Sequence, residues 1–392
     1  MNYNKVFVEI SASGHRIEYV QNLVSYVVKN NISGIYFYLS PDFKNKINGL
    51  DLLDCVLYFP EYNYLSKTRL LKLYKYFLIF RKVSFFLKAN KIDSITFLFL
   101  NEFYYYLLTT KLNAKVSGIY FHTNFRKEQN LSLMSRYKEK LLFKMVVKNK
   151  IDRIYVLNDE RCAENYNEIT HSNVFSHLTD PVVSFSGLDS LYELKKLEQV
   201  YSTKKINVLH AGVLGARKGT DIFILSLNML PKKFVGSFRF FLIGAPEKNF
   251  IKKLNILIDE IDNDIDFIFI PKFISNSELQ AYIEFSDAVS LPYRNVESSS
   301  GMIVRSKIEN KFIIAPGLGL VGDLLKDYSY FIPMSSYDLH DMSTLYQNLL
   351  LRTENKLTNC SPESELNSKL FLDDYINRVN PNVFSQRLID DE

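Results

Sequence analysis

Short apolar, β-rich runs alternate with longer segments of helical period through most of this chain, and the alternation breaks once, around Asp180-Pro181. Before the break the runs are Lys5–Ile10, Ile32–Leu39, Ile95–Leu100, Lys115–His122 and Arg153–Leu157, with helical stretches to about Lys29, over Ser66–Lys91 and over Glu128–Lys148. After it the runs Ile206–Ala211, Phe238–Ile243, Ile265–Ile270, Ala288–Leu291, Phe312–Ala315 and Tyr330–Ile332 alternate with helices over Thr220–Leu230, Asn249–Ile261, Ser275–Phe285 and Met302–Asn310. Fully apolar strands separated by helices belong to parallel sheets covered on both faces. Two such arrays in series predict an α/β protein of two doubly wound, Rossmann-like domains facing each other across a cleft. The expected boundaries are a first domain over 1–184, a polar linker over 185–205 with a short helix at Leu188–Leu197, and a second domain over 206–365. A tail over 366–392 is expected to cross back to the first domain, with Leu370–Glu392 as a closing helix.

A chain of 392 residues is long enough for both domains. Its net charge of +5 hides a division: residues 1–150 hold 23 Lys and Arg against 10 Asp and Glu, whereas 151–392 hold 25 against 33. The first half is therefore built to meet something anionic. Three separated cysteines (Cys55, Cys162, Cys360) exclude a disulfide framework and suit a reducing cytoplasm. The first residues do not read as a signal peptide, and no apolar window reaches the ~20 residues of a membrane span.

The densest motif is Val208-Leu209-His210-Ala211-Gly212-Val213-Leu214-Gly215-Ala216-Arg217-Lys218-Gly219-Thr220. A strand ends at Gly212, a turn carries Arg217 and Lys218, and a helix starts at Thr220. Glycines that let backbone approach a ligand, beside a cation and a helix N-terminus, suit a phosphate. The spacing is neither a Walker loop nor a dinucleotide fingerprint. Taken alone it reads more readily as an exposed basic turn. Gly244 ends the next strand at the same sheet edge. Then Asp287–Leu291 leads through Pro292-Tyr293-Arg294-Asn295-Val296-Glu297 into Ser298-Ser299-Ser300-Gly301-Met302, a serine run that opens a helix and offers N–H and hydroxyl donors to an anion.

In this order and at these distances the pieces resemble the GT-B-fold glycosyltransferases, in particular the retaining family 4 group. The likeness is close over about 206–332, including the strand Lys311-Phe312-Ile313-Ile314-Ala315, and looser over 1–183 through Gly14-His15, the strand ending in His122, and Tyr155–Asn158. The resemblance implies that Lys218 contacts the donor diphosphate, that the Gly301 amide region binds phosphate and sugar hydroxyls, and that His122 lies beside the reacting sugar. Two departures stand out. Val213 occupies the place where the family commonly has Arg directly after its glycine, leaving Arg217 or Arg305 to supply that charge. Ser298 and Ser306 stand where the family has paired glutamates, with Glu297 one residue away.

The candidate catalytic residues are accordingly His122, Lys218 and Glu297. The candidate donor-binding residues are Gly14, His15, Gly212, Arg217, Lys218, Gly244, Ser298, Ser299, Ser300, Gly301, Met302 and Arg305. His210, inside a strand, is read as core. The run Asp262-Asn263-Asp264-Ile265-Asp266 enters its strand from the edge away from ligands, so it is read as an acidic turn; no metal or cofactor is expected beyond a UDP- or GDP-sugar donor as substrate.

Ser66–Lys91 carries eight basic residues and no acidic one among many aromatics, and 126–150 carries eight more against two glutamates. Both are expected to touch an anionic membrane, each basic residue contributing ~1 kcal/mol near headgroups; the other reading is a core face with solvated lysines. The function expected is cytoplasmic sugar transfer from a nucleotide-sugar to a saccharide, lipid-linked acceptors included, on the inner membrane face of a bacterium during surface polysaccharide synthesis, with no nucleic-acid partner. An inverting GT-B enzyme, a nucleotide-sugar epimerase and a catalytically silent scaffold subunit remain as alternatives.

Overall fold

The computed structural model describes residues 4–12, 15–47, 49–53, 55–60, 68–121, 123–126, 133–178, 188–297 and 300–356. It divides into two units, one on each side of 181/182. The first contains strands β1 (Lys5–Glu9), β2 (Ile35–Leu39), β3 (Val56–Tyr58), β4 (Ser94–Phe97), β5 (Lys115–Tyr120), β6 (Arg153–Leu157) and β7 (Phe175–Leu178). Its helices are α1 (His15–Lys29), α2 (Arg69–Ala89), α3 (Tyr104–Thr109), α4 (Leu133–Val147) and α5 (Glu160–Thr170). All strand pairs are parallel, in the order β3-β2-β1-β4-β5-β6-β7. Along β1, Val6 and Val8 pack with Ile79, Phe80 and Val83 of α2, while Phe7 packs with Val20 and Leu23 of α1. Period-two alternation in a strand apolar throughout is what buries both faces.

The second unit contains α6 (Leu188–Val200), β8 (Ile206–Ala211), α7 (Thr220–Leu227), α8 (Lys232–Val235), β9 (Phe238–Ile243), α9 (Ile251–Asp259) and β10 (Phe267–Ile270). It continues with α10 (Asn276–Phe285), β11 (Ala288–Ser290), α11 (Gly301–Ile308), β12 (Phe312–Pro316), α12 (Gly319–Leu325), β13 (Phe331–Met334) and α13 (Leu339–Lys356). The parallel order is β10-β9-β8-β11-β12-β13. Each sheet therefore reverses direction once, between β1 and β4 in the first and between β8 and β11 in the second. That reversal, at the C-terminal strand ends, is where doubly wound sheets hold ligands.

Several boundaries differ from the sequence expectations. The helix expected over Thr220–Leu230 ends at Leu227, capped by Asn228. β10 starts at Phe267 rather than Ile265, because the acidic run before it is spent on local bonds. Asp262 Oδ1 accepts from the Asp264 amide, and Asp266 pairs with Lys205 at 2.9 Å and with buried Arg239 at 3.0 Å. The short helix expected at Leu188–Leu197 forms as α6, three residues longer, and packs along α10, with Tyr201 set against Phe241 and Phe285. Edge strands β3 and β7, with three and four residues, escaped the sequence reading. The expected closing helix at Leu370–Glu392 lies outside the described residues, and among those described no helix is long and apolar enough to cross a membrane.

Candidate functional site

The turn after β8 and the loop after β11 meet at the reversal point of the second sheet. Gly219, in the left-handed region at φ 69°, makes the approach possible: a Cβ there would lie 1.9 Å from the Pro292 carbonyl oxygen. Gly244 serves the same purpose at the end of β9. Its φ is 140°, and a Cβ would fall 1.7 Å from the Gly212 carbonyl oxygen. Gly212 also needs its positive φ of 121°, yet a Cβ built on it would meet nothing within 4 Å, so its surface faces open space.

Ion pairs lock the two segments. Arg294 Nη1 donates to Asp221 Oδ1 at 2.7 Å and to the Ala216 carbonyl at 2.6 Å, and Nη2 donates to Asp221 Oδ2 at 3.1 Å. The Arg294 amide donates to the Arg217 carbonyl, and Lys253 of α9 reaches Asp221 Oδ2 at 2.6 Å. Burial acts to raise the Asp221 pKa, but Arg294 and Lys253 outweigh it and hold the carboxyl below its ordinary value.

A second lock runs through His210. Its Nδ1 lies 2.9 Å from the Ser290 carbonyl and its Nε2 3.1 Å from Thr220 Oγ1, while the Gly215 amide donates to Thr220 Oγ1 at 3.0 Å. A carbonyl only accepts, so Nδ1 carries the proton and the Thr220 hydroxyl donates to Nε2. This neutral imidazole is stacked on Phe223, and burial lowers its pKa to about 4, with Lys218 adding to the effect.

Lys218 Nζ sits 3.9 Å from the centroid of the Tyr293 ring, and Tyr293 Oη is 3.0 Å from Ser300 Oγ. One tyrosine thus joins the lysine-bearing turn to the start of α11. Because Ser300 is turned to Tyr293, it gives α11 no side-chain cap. The first N–H groups of that buried helix point their partial positive charge at the same corner. The arrangement can hold an anion between an ammonium and a helix N-terminus.

The other expected site residues distribute as follows. Gly212, Lys218, Gly244, Ser300, Gly301 and Met302 lie in the two turns or at the head of α11. Arg217 is exposed, and Arg305 is buried with Nη2 donating to Asn276 of α10 at 3.3 Å. Glu297 Oε1 is set against the start of α12, 2.9 Å from where a Gly319 Cβ would be, and a carboxylate is favoured at a helix start. His15 opens α1 in the first unit, its side chain outside the described set, and Gly14, His122, Ser298 and Ser299 lie outside the described residues. Tyr293, Arg294 and Asp221 escaped the sequence reading. Asp221, directly after the helix-opening Thr220, was the one signal available.

No family model matches the chain, and no curated protein matches it by sequence. Solved structures do match in fold over the whole chain. Anabaena HepE in complex with UDP and glucose aligns with a TM-score of 0.65 at 13% identity, over 98% of this chain and 99% of that one. Sucrose-phosphate synthase from Thermosynechococcus elongatus aligns at 0.69 with 12% identity, over 100% of both chains. WaaG, a glycosyltransferase involved in lipopolysaccharide biosynthesis, aligns at 0.61 with 11% identity, over 95% and 96%. Two parallel sheets of seven and six strands, each wound with helices on both faces, give this chain the GT-B fold of those glycosyltransferases.

Proposed function

We propose that the chain transfers a sugar from a nucleoside diphosphate donor to a saccharide acceptor, and that the second unit binds the donor. The observation that carries this reading is the line Lys218–Tyr293–Ser300, which sets a cation and an uncapped helix start together at the sheet reversal. In such a transfer the bond from the anomeric carbon to the diphosphate oxygen breaks, and a bond to an acceptor hydroxyl oxygen forms as that hydroxyl loses its proton. Negative charge grows on the departing diphosphate. Lys218 and the α11 amides, fixed in advance by the His210 and Asp221 locks, stabilise it without reorganising. Gly212, open above its Cα, lets the ligand approach the backbone. Glu297, in the loop before α11, is the second unit's candidate carboxylate for the donor sugar. A UDP donor is favoured by the UDP and glucose bound to HepE, and retention of configuration by the motif order that the chain shares with family 4.

The first unit is proposed to carry the acceptor and to rest on an anionic membrane. Supporting this, α2 exposes Leu70, Leu73, Tyr74, Phe77 and Phe85 among its lysines, and α4 exposes Leu133, Met134 and Tyr137. Sedimentation with anionic vesicles at low salt tests the contact.

The donor assignment is tested by thermal shift with UDP-, GDP-, dTDP- and CMP-sugars. A ligand at about 100 times its Kd should stabilise the native chain by about 2.7 kcal/mol, and Lys218→Ala should abolish the shift and lower turnover by about 10²–10³-fold. A shift that Lys218→Ala leaves intact would overturn the assignment. A silent scaffold, favoured by the serines at 298 and 306, predicts no shift with any of the four.

A further inference from the structure

Helix α2 is apolar on two faces. Tyr76, Ile79, Phe80, Val83 and Leu87 are buried in the core of the first unit. On the opposite side Leu70, Leu73, Tyr74 and Phe77 stand at i, i+3, i+4 and i+7, all exposed, and Arg81, Ser84 and Phe85 continue that stripe.

Beside the second half of the stripe a groove of about 640 Å³ opens between α2 and α3. Phe77, Phe80, Arg81 and Ser84 line one wall, and Tyr105, Tyr106, Thr109 and Thr110 the other. It follows α3 to its end and so leads away from the strand ends. Tyr106 Oη donates to the Leu73 carbonyl at 2.6 Å, and Thr109 Oγ1 to the Tyr106 carbonyl at 3.1 Å. The Tyr106 ring lies 6.2 Å from that of Phe77 and 5.6 Å from that of Phe80, so the walls meet in aromatic carbon. A lining whose hydroxyls are spent on its own backbone selects hydrocarbon.

Charge selects the other end of the ligand. Neither α2 nor α3 contains an Asp or Glu, whereas α2 carries Lys72, Lys75, Arg81, Lys82 and Lys88, and Lys111 follows Thr110. Arg81 is the charged residue of the lining, its guanidinium 5.9 Å from the centroid of the exposed Phe77 ring. An arginine placed so lays its stem on apolar surface and holds its charge outward. A hydrocarbon chain ending in a phosphate meets both demands, and an anionic bilayer presents that combination. An acidic peptide would match the charge but bring backbone amides against ring carbon, so the lipid is favoured.

We propose that the α2–α3 groove holds one acyl chain of an anionic phospholipid, with the lipid phosphate on Arg81. This rests on the membrane contact proposed above and gives that contact a specific seat. Adhesion then depends on inserted carbon as well as on charge, and outlasts salt that screens the lysines.

The chain contains no tryptophan, so Phe77→Trp supplies a single emitter in the groove wall. It is mixed, at low and high salt, with vesicles of equal phosphatidylglycerol and phosphatidylcholine, the phosphatidylglycerol bearing plain or dibrominated acyl chains. The brominated chains should quench it at both salts. Hexyl, octyl and decyl phosphate, as monomers, test the groove without a bilayer: affinity should rise about fourfold per methylene. Ser84→Phe fills the groove and breaks no hydrogen bond, because the Ser84 hydroxyl is buried without a partner, and Thr109→Phe fills it from the exposed rim. Each should abolish the quenching and lower decyl phosphate affinity about tenfold or more, with unchanged circular dichroism. Sedimentation with the vesicles but no quenching sinks the groove and leaves the membrane contact. No sedimentation sinks the membrane contact, and the alkyl phosphates then decide the groove separately. Quenching that survives both filling variants, or alkyl phosphate affinity that does not grow with chain length, overturns the proposal. An emission shift that follows protein concentration rather than lipid assigns the groove to a second copy of the chain and overturns it too.

Discussion

Cutting the Arg294–Asp221 clamp should loosen the Lys218 turn by a measurable and pH-dependent amount. The Asp221 side chain is only 6% exposed, whereas Arg294 is 42% exposed, so the pair falls between a buried and a surface salt bridge. Exposed pairs couple by about 0.2–1 kcal/mol and hydrogen bonds to charged groups by about 1.5–3, which places a two-point Arg–carboxylate contact of this exposure at about 1–2 kcal/mol. A double-mutant cycle of Asp221→Asn and Arg294→Met, followed by urea titration with far-ultraviolet circular dichroism, reads that coupling directly. Hydrogen exchange should place the loss at 212–221 and 292–297, where opening becomes about 5–30 times more frequent. The sign with pH is fixed. A carboxyl whose native pKa is lowered contributes its full stability above the ordinary value of about 4 and loses it as pH falls through the lowered native value. Wild type and Arg294→Met should therefore differ most at neutral pH and less in acid, where only the pH-independent bond from Arg294 to the Ala216 carbonyl remains. A coupling under about 0.3 kcal/mol, or a difference that does not shrink below both pKa values, would refute the clamp.

Gly219→Ala and Gly244→Ala should each cost about 2–4 kcal/mol, from left-handed strain and a backbone clash, whereas Gly236→Ala, at φ −65° with open space, should be neutral or slightly stabilising by chemical denaturation. His210→Phe should change how stability varies with pH. The wild-type imidazole stays neutral in the fold down to about 4 but protonates near 6.5 when unfolded, so native stability should fall as pH drops from 6.5 towards 4, and the variant should lack that slope.

The architecture was legible because buried parallel strands announce themselves: β8, β9, β11 and β12 are apolar at nearly every position and each is followed by a helical period. The turn at 212–219 was legible because its glycines and lysine sit within one βα connection. What joins it to the rest was not. Arg294 meets Asp221 across 73 positions, and Tyr293 reaches Lys218 only because β8 and β11 are neighbours in the sheet, a fact no local pattern encodes. The first unit's ion-pair chain of Glu9, Arg16 and Glu102 was hidden for the same reason, its members being supplied by three separate elements. Short pieces were lost differently. The tyrosine run of α3 favours strand by propensity but forms a six-residue helix through its packing on α4. On α2 the even spread of apolar residues gave no face, and burial chose Ile79, Phe80, Val83 and Leu87 while leaving Phe77 and Phe85 outside.

Tyr293 spends its two ends on different neighbours, the ring under an ammonium and the hydroxyl on a serine. Any ligand that draws the lysine off the ring changes the polarity that the serine experiences through the phenol, and reciprocity requires the reverse. Recognition at the turn and recognition at the helix head are therefore thermodynamically linked through a single phenol, and substitutions on either side of it should prove non-additive.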